Sequence, residues 1–434
     1  MNSAENSNIK TRKFVIITAL GCVLETYDFL IYALMAPYLS SVFFPAEAQV
    51  EGLLLTFATF SAGYLIRPLG GVLFGHHGDR RGRKKPFAWT LLLMALSTAL
   101  MGCLPGYREI GVAAPVALLM LRLLQGLSMG GESGGAFTYI REILPKQCYA
   151  GCGCIVLGMF AGLTLGYLIH AGLLLLMTID AMAAFGWRIP FWIGGLLGVI
   201  GFVIRTRFQE TLSFTQLQCQ GGIEAVPLAA LFKRHRGAVL CGVLCIALNS
   251  TTTILINVFW PTYLETVFTE SRQWLSLTGG VVLLLAGLCS VGVGFVADRV
   301  GIRKVFVFAV IMEFLLMFPI FYLPAQSEQW LAPAFILGAF LTGVVSIAGP
   351  GMLLQLFPAA VRYTGIGFTY NTGFAIFGGC APLAATWLIQ KTDIVWSPVL
   401  LLMAVTCIAC LVLYMTRDRH DVKTGMINND GCIS

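Results

Sequence analysis

Nothing constrains this chain more than its succession of long apolar runs. A membrane-spanning helix needs roughly 20 mostly apolar residues, and twelve stretches meet that, near 14–39, 51–75, 86–105, 114–138, 150–178, 189–206, 237–261, 275–297, 304–323, 331–356, 364–389 and 397–416. Hydrophobic residues make up 57% of the 434-residue chain and charged ones only 11%, well below the roughly 25% charged of soluble domains. The fold class this implies is an all-α polytopic membrane protein with twelve transmembrane helices. The first run follows Lys10, Arg12 and Lys13, as a signal peptide would. It is too long for an h-region, contains Glu25 and Asp28, and lacks a small-residue cleavage site, so it reads as the first spanning helix.

A net charge of +7 raises the question of a nucleic-acid partner. The basic residues fall on alternate connections instead. Arg80, Arg81, Arg83, Lys84, Lys85, Arg141, Lys146, Arg205, Lys233, Arg234, Arg236, Arg303, Lys304 and Arg362 share the side of the N-terminal cations, against Arg108, Arg188, Arg272 and Lys391 on the other. That is the positive-inside pattern. It predicts both termini in the cytoplasm of a cell membrane, with lipid as the surrounding partner and no nucleic acid. The 13 cysteines show neither a disulfide framework nor metal-ligand spacing; those within apolar runs read as small hydrophobes.

Two polar knots interrupt the apolar runs. Gly75-His76-His77-Gly78-Asp79-Arg80-Arg81-Gly82-Arg83-Lys84-Lys85 returns as Gly294-Phe295-Val296-Ala297-Asp298-Arg299-Val300-Gly301-Ile302-Arg303-Lys304. A second echo pairs Glu142-Ile143-Leu144-Pro145 with Gln355-Leu356-Phe357-Pro358, and both pairs lie roughly half the chain apart. Parallel repeats of this kind mark duplicated transporter halves. The long polar connection 207–236 divides the chain into a short N-terminal segment (1–13), a six-helix bundle (14–206), a cytoplasmic linker (207–236), a second six-helix bundle (237–416) and a tail (417–434).

With these landmarks the chain resembles the major facilitator superfamily, and more closely its metabolite:proton symporter family of proline/betaine, α-ketoglutarate, citrate and shikimate permeases. The residues that carry the likeness are Glu25-Thr26-Tyr27-Asp28-Phe29, Arg67-Pro68-Leu69-Gly70-Gly71, Arg122-Leu123-Leu124-Gln125-Gly126, Gly130-Gly131-Glu132, Gly186-Trp187-Arg188-Ile189-Pro190-Phe191, Phe357-Pro358, Arg362-Tyr363-Thr364-Gly365 and Tyr370-Asn371. The resemblance implies two pseudo-symmetric six-helix bundles and proton-coupled uptake of a small organic solute, a carboxylate or a proline/betaine-type zwitterion, by alternating access. It also implies no cofactor beyond the proton gradient. The chain departs from the family at Tyr149, where a basic residue matching Arg362 is expected, and its short tail lacks the heptads of osmosensing carriers.

Charged groups inside the membrane are costly and by default functional. Glu25, Asp28, Arg67, Arg122 and Glu132 all lie within apolar runs. Three acids against two bases leave one carboxylate over, and a carboxylate without a counter-ion in low dielectric holds a proton more readily. Asp28 or Glu25 is therefore the candidate proton carrier, with Arg122, at the level of Asp28, as the switch. Arg67 offers a bidentate fork to a substrate carboxylate; its alternative is a fixed pair with Glu132 at the same depth. Glu132, Tyr27, Tyr32, Tyr64, Asn249, Trp260 and Asn371 are candidate pocket residues, and Glu313 is a buried acid with no evident partner. The knots read as a cytoplasmic gate made of Gly75, Asp79, Arg80, Gly82, Arg83, Asp298, Arg299, Gly301, Arg303 and Arg362, the acids latching onto neighbouring helix ends.

Other classes find less support. Gly130-Gly131-Glu132-Ser133-Gly134-Gly135 lies within an apolar run, without the strand or Lys-Ser/Thr ending of a phosphate loop, and reads as a helix-packing surface. The five histidines are scattered with no metal spacing, so neither a membrane enzyme nor a metal site is expected. The rival readings that keep the fold are an exporter or antiporter and a non-transporting sensor. The oligomeric state is left open, a monomer included.

Overall fold

The computed structural model describes residues 2–44, 49–207, 210–260 and 272–416. Among these, twelve helical spans follow one another: α1 (Asn2–Phe43), α2 (Gln49–Leu65, continued by Arg67–Arg81), α3 (Lys84–Cys103), α4 (Ala113–Ile143), α5 (Cys148–Leu176) and α6 (Arg188–Arg205). Then come α7 (Arg236–Ile254, continued by a π turn, Leu255–Phe259), α8 (Arg272–Val300), α9 (Ile302–Gln326), α10 (Leu331–Leu356), α11 (Arg362–Gly373, a π turn Phe374–Gly378, and Gly379–Thr392) and α12 (Val399–Met415). Each overlaps one of the twelve apolar runs. The tail expected at 417–434 lies outside the described residues.

Local chemistry sets the departures from the expected boundaries. The second run is bent at Ile66, because Pro68 supplies no N–H to the preceding turn. It then continues as helix through Asp79 to Arg81, so most of the first knot is helical rather than loop. Within each knot the helix ends at a glycine of positive φ, Gly82 at φ 109° and Gly301 at φ 91°. A side chain is strained there, which is the reason glycine stands at this position in each copy. The connection 207–236 is more ordered than a linker need be. Leu212–Cys219 is capped by Thr211, whose hydroxyl accepts from the Phe214 amide, and Pro227–Arg234 starts on a proline.

The two sets of six helices meet mainly through α5 with α8 and through α2 and α4 with α11. Small residues let these backbones touch. A Cβ added to Gly71 would come 2.5 Å from the Gly367 carbonyl oxygen, and one on Gly75 2.6 Å from Thr364 Cα. The row Gly158 and Gly162 on α5 does the same against α1 at Ala19 and Val23. Leu175, Leu176 and Leu383 are largely exposed, as suits a surface solvated by lipid tails rather than water.

Candidate functional site

At the end of the bundle that carries the knots, each acidic residue accepts hydrogen bonds from the start of a helix in the other half. The first amides of a helix have no partner of their own and carry partial positive charge. Asp79 takes the amides of Tyr363 at 3.2 Å and Thr364 at 2.8 Å, together with the Thr364 hydroxyl at 2.7 Å. Asp298 takes the amides of Tyr149 at 3.0 Å and Ala150 at 2.9 Å. The two acids therefore join the halves at the starts of α11 and α5, related by the two-fold repeat.

The surroundings of the two latches differ. Around Asp79 lies a buried charged clasp. Arg83 pairs with Asp79 at 2.9 Å and Glu142 at 3.5 Å, and donates to the carbonyls of Gly78 and Ala359, both at 2.7 Å. Arg362 pairs with Glu142 at 3.0 Å, and the Thr211 hydroxyl donates to Glu142 at 2.6 Å. Glu210 caps the next helix by accepting from the amides of Arg83 and Lys84. Around Asp298, Tyr149 of the first half stands where Arg362 stands in the second, and Gln355 of the second half stands for Glu142 of the first. The Gln355 side-chain amide donates to the Tyr149 hydroxyl at 2.6 Å. The missing base is thus matched by a missing acid, and this clasp is neutral. Arg303 donates to the Leu413 carbonyl at 3.4 Å instead of joining Asp298. Arg80 and Arg299, expected within the gate, are exposed and form no ion pair among the described residues.

Deeper in the bundle the charged residues sort into three groups. Glu25 accepts from Arg67 at 3.0 Å and from the Ser133 hydroxyl at 2.8 Å. Glu132 forms a buried bidentate pair with Arg205, which also donates to the Phe87 carbonyl at 3.1 Å, and Thr90 donates to Glu132 at 3.0 Å. Asp28 accepts from Thr98 at 2.7 Å, Thr98 accepts from Gln125 at 2.8 Å, and Gln125 accepts from Arg122. The Arg122 guanidinium lies over the rings of Tyr32 and Phe60, at 4.4 Å and 4.8 Å from their centroids.

Three expectations are corrected by this geometry. The alternative pair of Arg67 with Glu132 does not form, because α6 supplies Arg205 to Glu132 and leaves Arg67 to Glu25. Arg205, counted among the basic residues of the helix ends, is fully buried; its presence raises the bases to three and removes the surplus carboxylate inferred from the first half. Arg122 reaches Asp28 only through Gln125 and Thr98, not by direct contact.

A cavity of about 130 Å³ lies between the halves, bounded by α1, α2, α4 and α5 on one side and α7, α10 and α11 on the other. Glu25, Arg67, Tyr64 and Asn249 line it. Among the described residues, Glu25 with Arg67 is the one ion pair on its wall. Tyr27, Tyr32, Asn371, Glu132, Asp28 and Arg122 lie behind the wall. The Tyr27 hydroxyl donates to the Pro190 carbonyl, that of Tyr32 to the Thr56 carbonyl, and Asn371 bridges to the carbonyls of Gly130 and Gly367. Trp260 is buried against Phe321. Glu313, on α9, is met by the Thr252 hydroxyl of α7 at 2.7 Å, away from the cavity. Sequence reasoning passed over Asn257, Thr253 and Ser346, which also line it. Neutral polar residues in an apolar helix carry too small a penalty to stand out as charges do.

Duplicated six-helix units, a central cavity with a buried ion pair, and acid-to-helix contacts joining the halves at one end are the features of a secondary transporter. Residues 14–225 match the family described as sugar (and other) transporter, and residues 242–425 match the major facilitator superfamily. The ectoine/proline transporter ProP of Corynebacterium glutamicum is 33% identical over 96% of this chain and 86% of that protein. The citrate-proton symporter of Salmonella typhi is 33% identical over 87% of each. In fold, the chain is similar to the proton:xylose symporter XylE bound to 6-bromo-6-deoxy-D-glucose, with a TM-score of 0.74 at 15% identity over 93% of this chain and 94% of that one. The chain belongs to the major facilitator superfamily, in its metabolite:proton symporter branch, and is a multi-pass protein of the cell membrane.

Proposed function

We propose that this protein is a proton-coupled symporter that takes up a small carboxylate-bearing solute, with Glu25 as the proton carrier and Arg67 as the substrate anchor. The observation that carries the reading is the Glu25–Arg67 pair on the cavity wall, at 3.0 Å. While Glu25 is ionised it occupies the Arg67 fork. A proton arriving on Glu25 discharges that pair, and the freed guanidinium takes a substrate carboxylate in its place. Proton and solute thereby favour each other's binding, the linkage that symport requires. The names of the ectoine/proline and citrate-proton relatives support this reading.

The knot end faces the cytoplasm in this proposal, as the basic connections require. Loading the cavity is followed by rupture of the Asp79 and Asp298 latches, and the two halves rock to open the cytoplasmic side. Asp28, linked to Arg122 through Thr98 and Gln125, holds α1 to α3 and α4 behind the cavity and is assigned a positioning role. No cofactor takes part; the proton gradient is the driving force.

Purified protein in proteoliposomes tests the assignment. Glu25→Gln retains counterflow of labelled solute and loses accumulation driven by a pH gradient, whereas Asp28→Asn keeps gradient-driven accumulation at reduced rate. Accumulation by Glu25→Gln against a gradient would overturn the role given to Glu25.

A further inference from the structure

Asn257 sits in the π turn Leu255–Phe259 of α7 and lines the central cavity. Such turns are rare in helices and recur at functional sites. The second π turn of this half, Phe374–Gly378 in α11, brings Phe374 to the same cavity. Two helices of one half therefore break regular geometry at the cavity wall.

The orientation of the Asn257 amide follows from its partners. Its nitrogen lies 3.0 Å from both the Thr253 carbonyl oxygen and the Thr342 hydroxyl. A backbone carbonyl only accepts, so the nitrogen occupies that position and cannot be exchanged with the oxygen. The side-chain oxygen of Asn257 is left buried with no partner among the described residues. On the opposite wall, the second oxygen of Glu25 also has no partner among the described residues. Buried acceptors without donors are destabilising, and once Glu25 has taken its proton the Asn257 oxygen remains as such an acceptor beside the space where a solute would sit. Arg67, the one basic side chain on the wall among the described residues, supplies the complement of a single carboxylate. What the cavity then lacks is a donor.

We propose that Asn257 is a specificity-determining residue whose side-chain carbonyl receives an N–H from the solute. The cavity thereby selects carboxylates that carry an N–H, such as an imino acid, over fully N-alkylated betaines and over polycarboxylates. This rests on the carboxylate-solute reading above. A site built around a buried hydrogen bond rejects an analogue that lacks the bonding group, because its own polar atom is then left unpaired.

Calorimetric titration of the purified protein with L-proline, N,N-dimethylproline, cyclopentanecarboxylate and citrate tests the proposal. Proline and dimethylproline share ring and carboxylate and differ in N–H. The expected result is at least about tenfold tighter binding of L-proline than of N,N-dimethylproline. In Asn257→Leu the gap closes through loss of proline affinity, while cyclopentanecarboxylate binds as before and reports an intact site. Equal binding of proline and dimethylproline by the unaltered protein, an undiminished gap in Asn257→Leu, or citrate binding tighter than proline overturns the proposal. In each of those cases the carboxylate reading stands, because a carboxylate has bound; failure of all four probes to bind overturns both.

Discussion

Replacing Asp79 by Asn puts a number on the inequality of the two latches. Asp79 is fully buried and accepts three hydrogen bonds from α11 in addition to its pair with Arg83. Hydrogen bonds to a charged group contribute about 1.5–3 kcal/mol each, against about 0.5–1.5 for neutral ones. Asn retains one acceptor oxygen and turns an N–H₂ toward donors. The closed state then loses about 2–4 kcal/mol relative to the open one, a shift of roughly 30- to 1,000-fold in their ratio. Asp298 accepts two amide bonds, is only half-buried and has no ion pair among the described residues. Asp298→Asn should therefore cost about 1–2 kcal/mol, roughly 5- to 30-fold. Spin labels at the exposed positions Arg81 and Arg299, on opposite halves, report both populations by pulsed dipolar distance measurement. The larger shift is expected for Asp79→Asn. An equal or larger shift for Asp298→Asn would refute the reasoning, because it would mean that the charged clasp adds nothing to the hydrogen bonds at the helix start.

Two further outcomes follow from the buried charges. Arg205→Met leaves Glu132 without its bidentate partner and should destabilise the purified protein by about 3–5 kcal/mol. Adding Glu132→Gln should recover a large part of that loss, as read by thermal unfolding in detergent of the single and double variants. The double variant Tyr149→Arg with Gln355→Glu converts the neutral clasp into a copy of the charged one. It should raise the closed population at the knot end and slow turnover in proteoliposomes, and unchanged transport would argue against a latch role for this pair.

Apolar runs, alternating basic connections and the two knots are local features of the chain, so the helix count, the duplication and the latch acids Asp79 and Asp298 could be read without coordinates. So could the close helix packing of the glycine rows and the presence of costly charges in the first half. The partners of those charges could not. Glu132 and Arg205 are 73 residues apart, Arg67 and Glu25 are 42, and Arg362 and Glu142 are 220. Depth along a helix axis follows from residue count, but which neighbour a side chain meets depends on how each helix is rotated and crossed. Arg205 shows the consequence: its place at a helix end suggested a topological charge, and only the packing of α6 against α3 and α1 turned it inward to Glu132. Tyr149 shows the reverse case, a departure visible in the sequence whose match, Gln355, is brought to it only where α10 meets α5. The cavity was the least legible feature, since it is the space left between the halves and belongs to no segment of the chain.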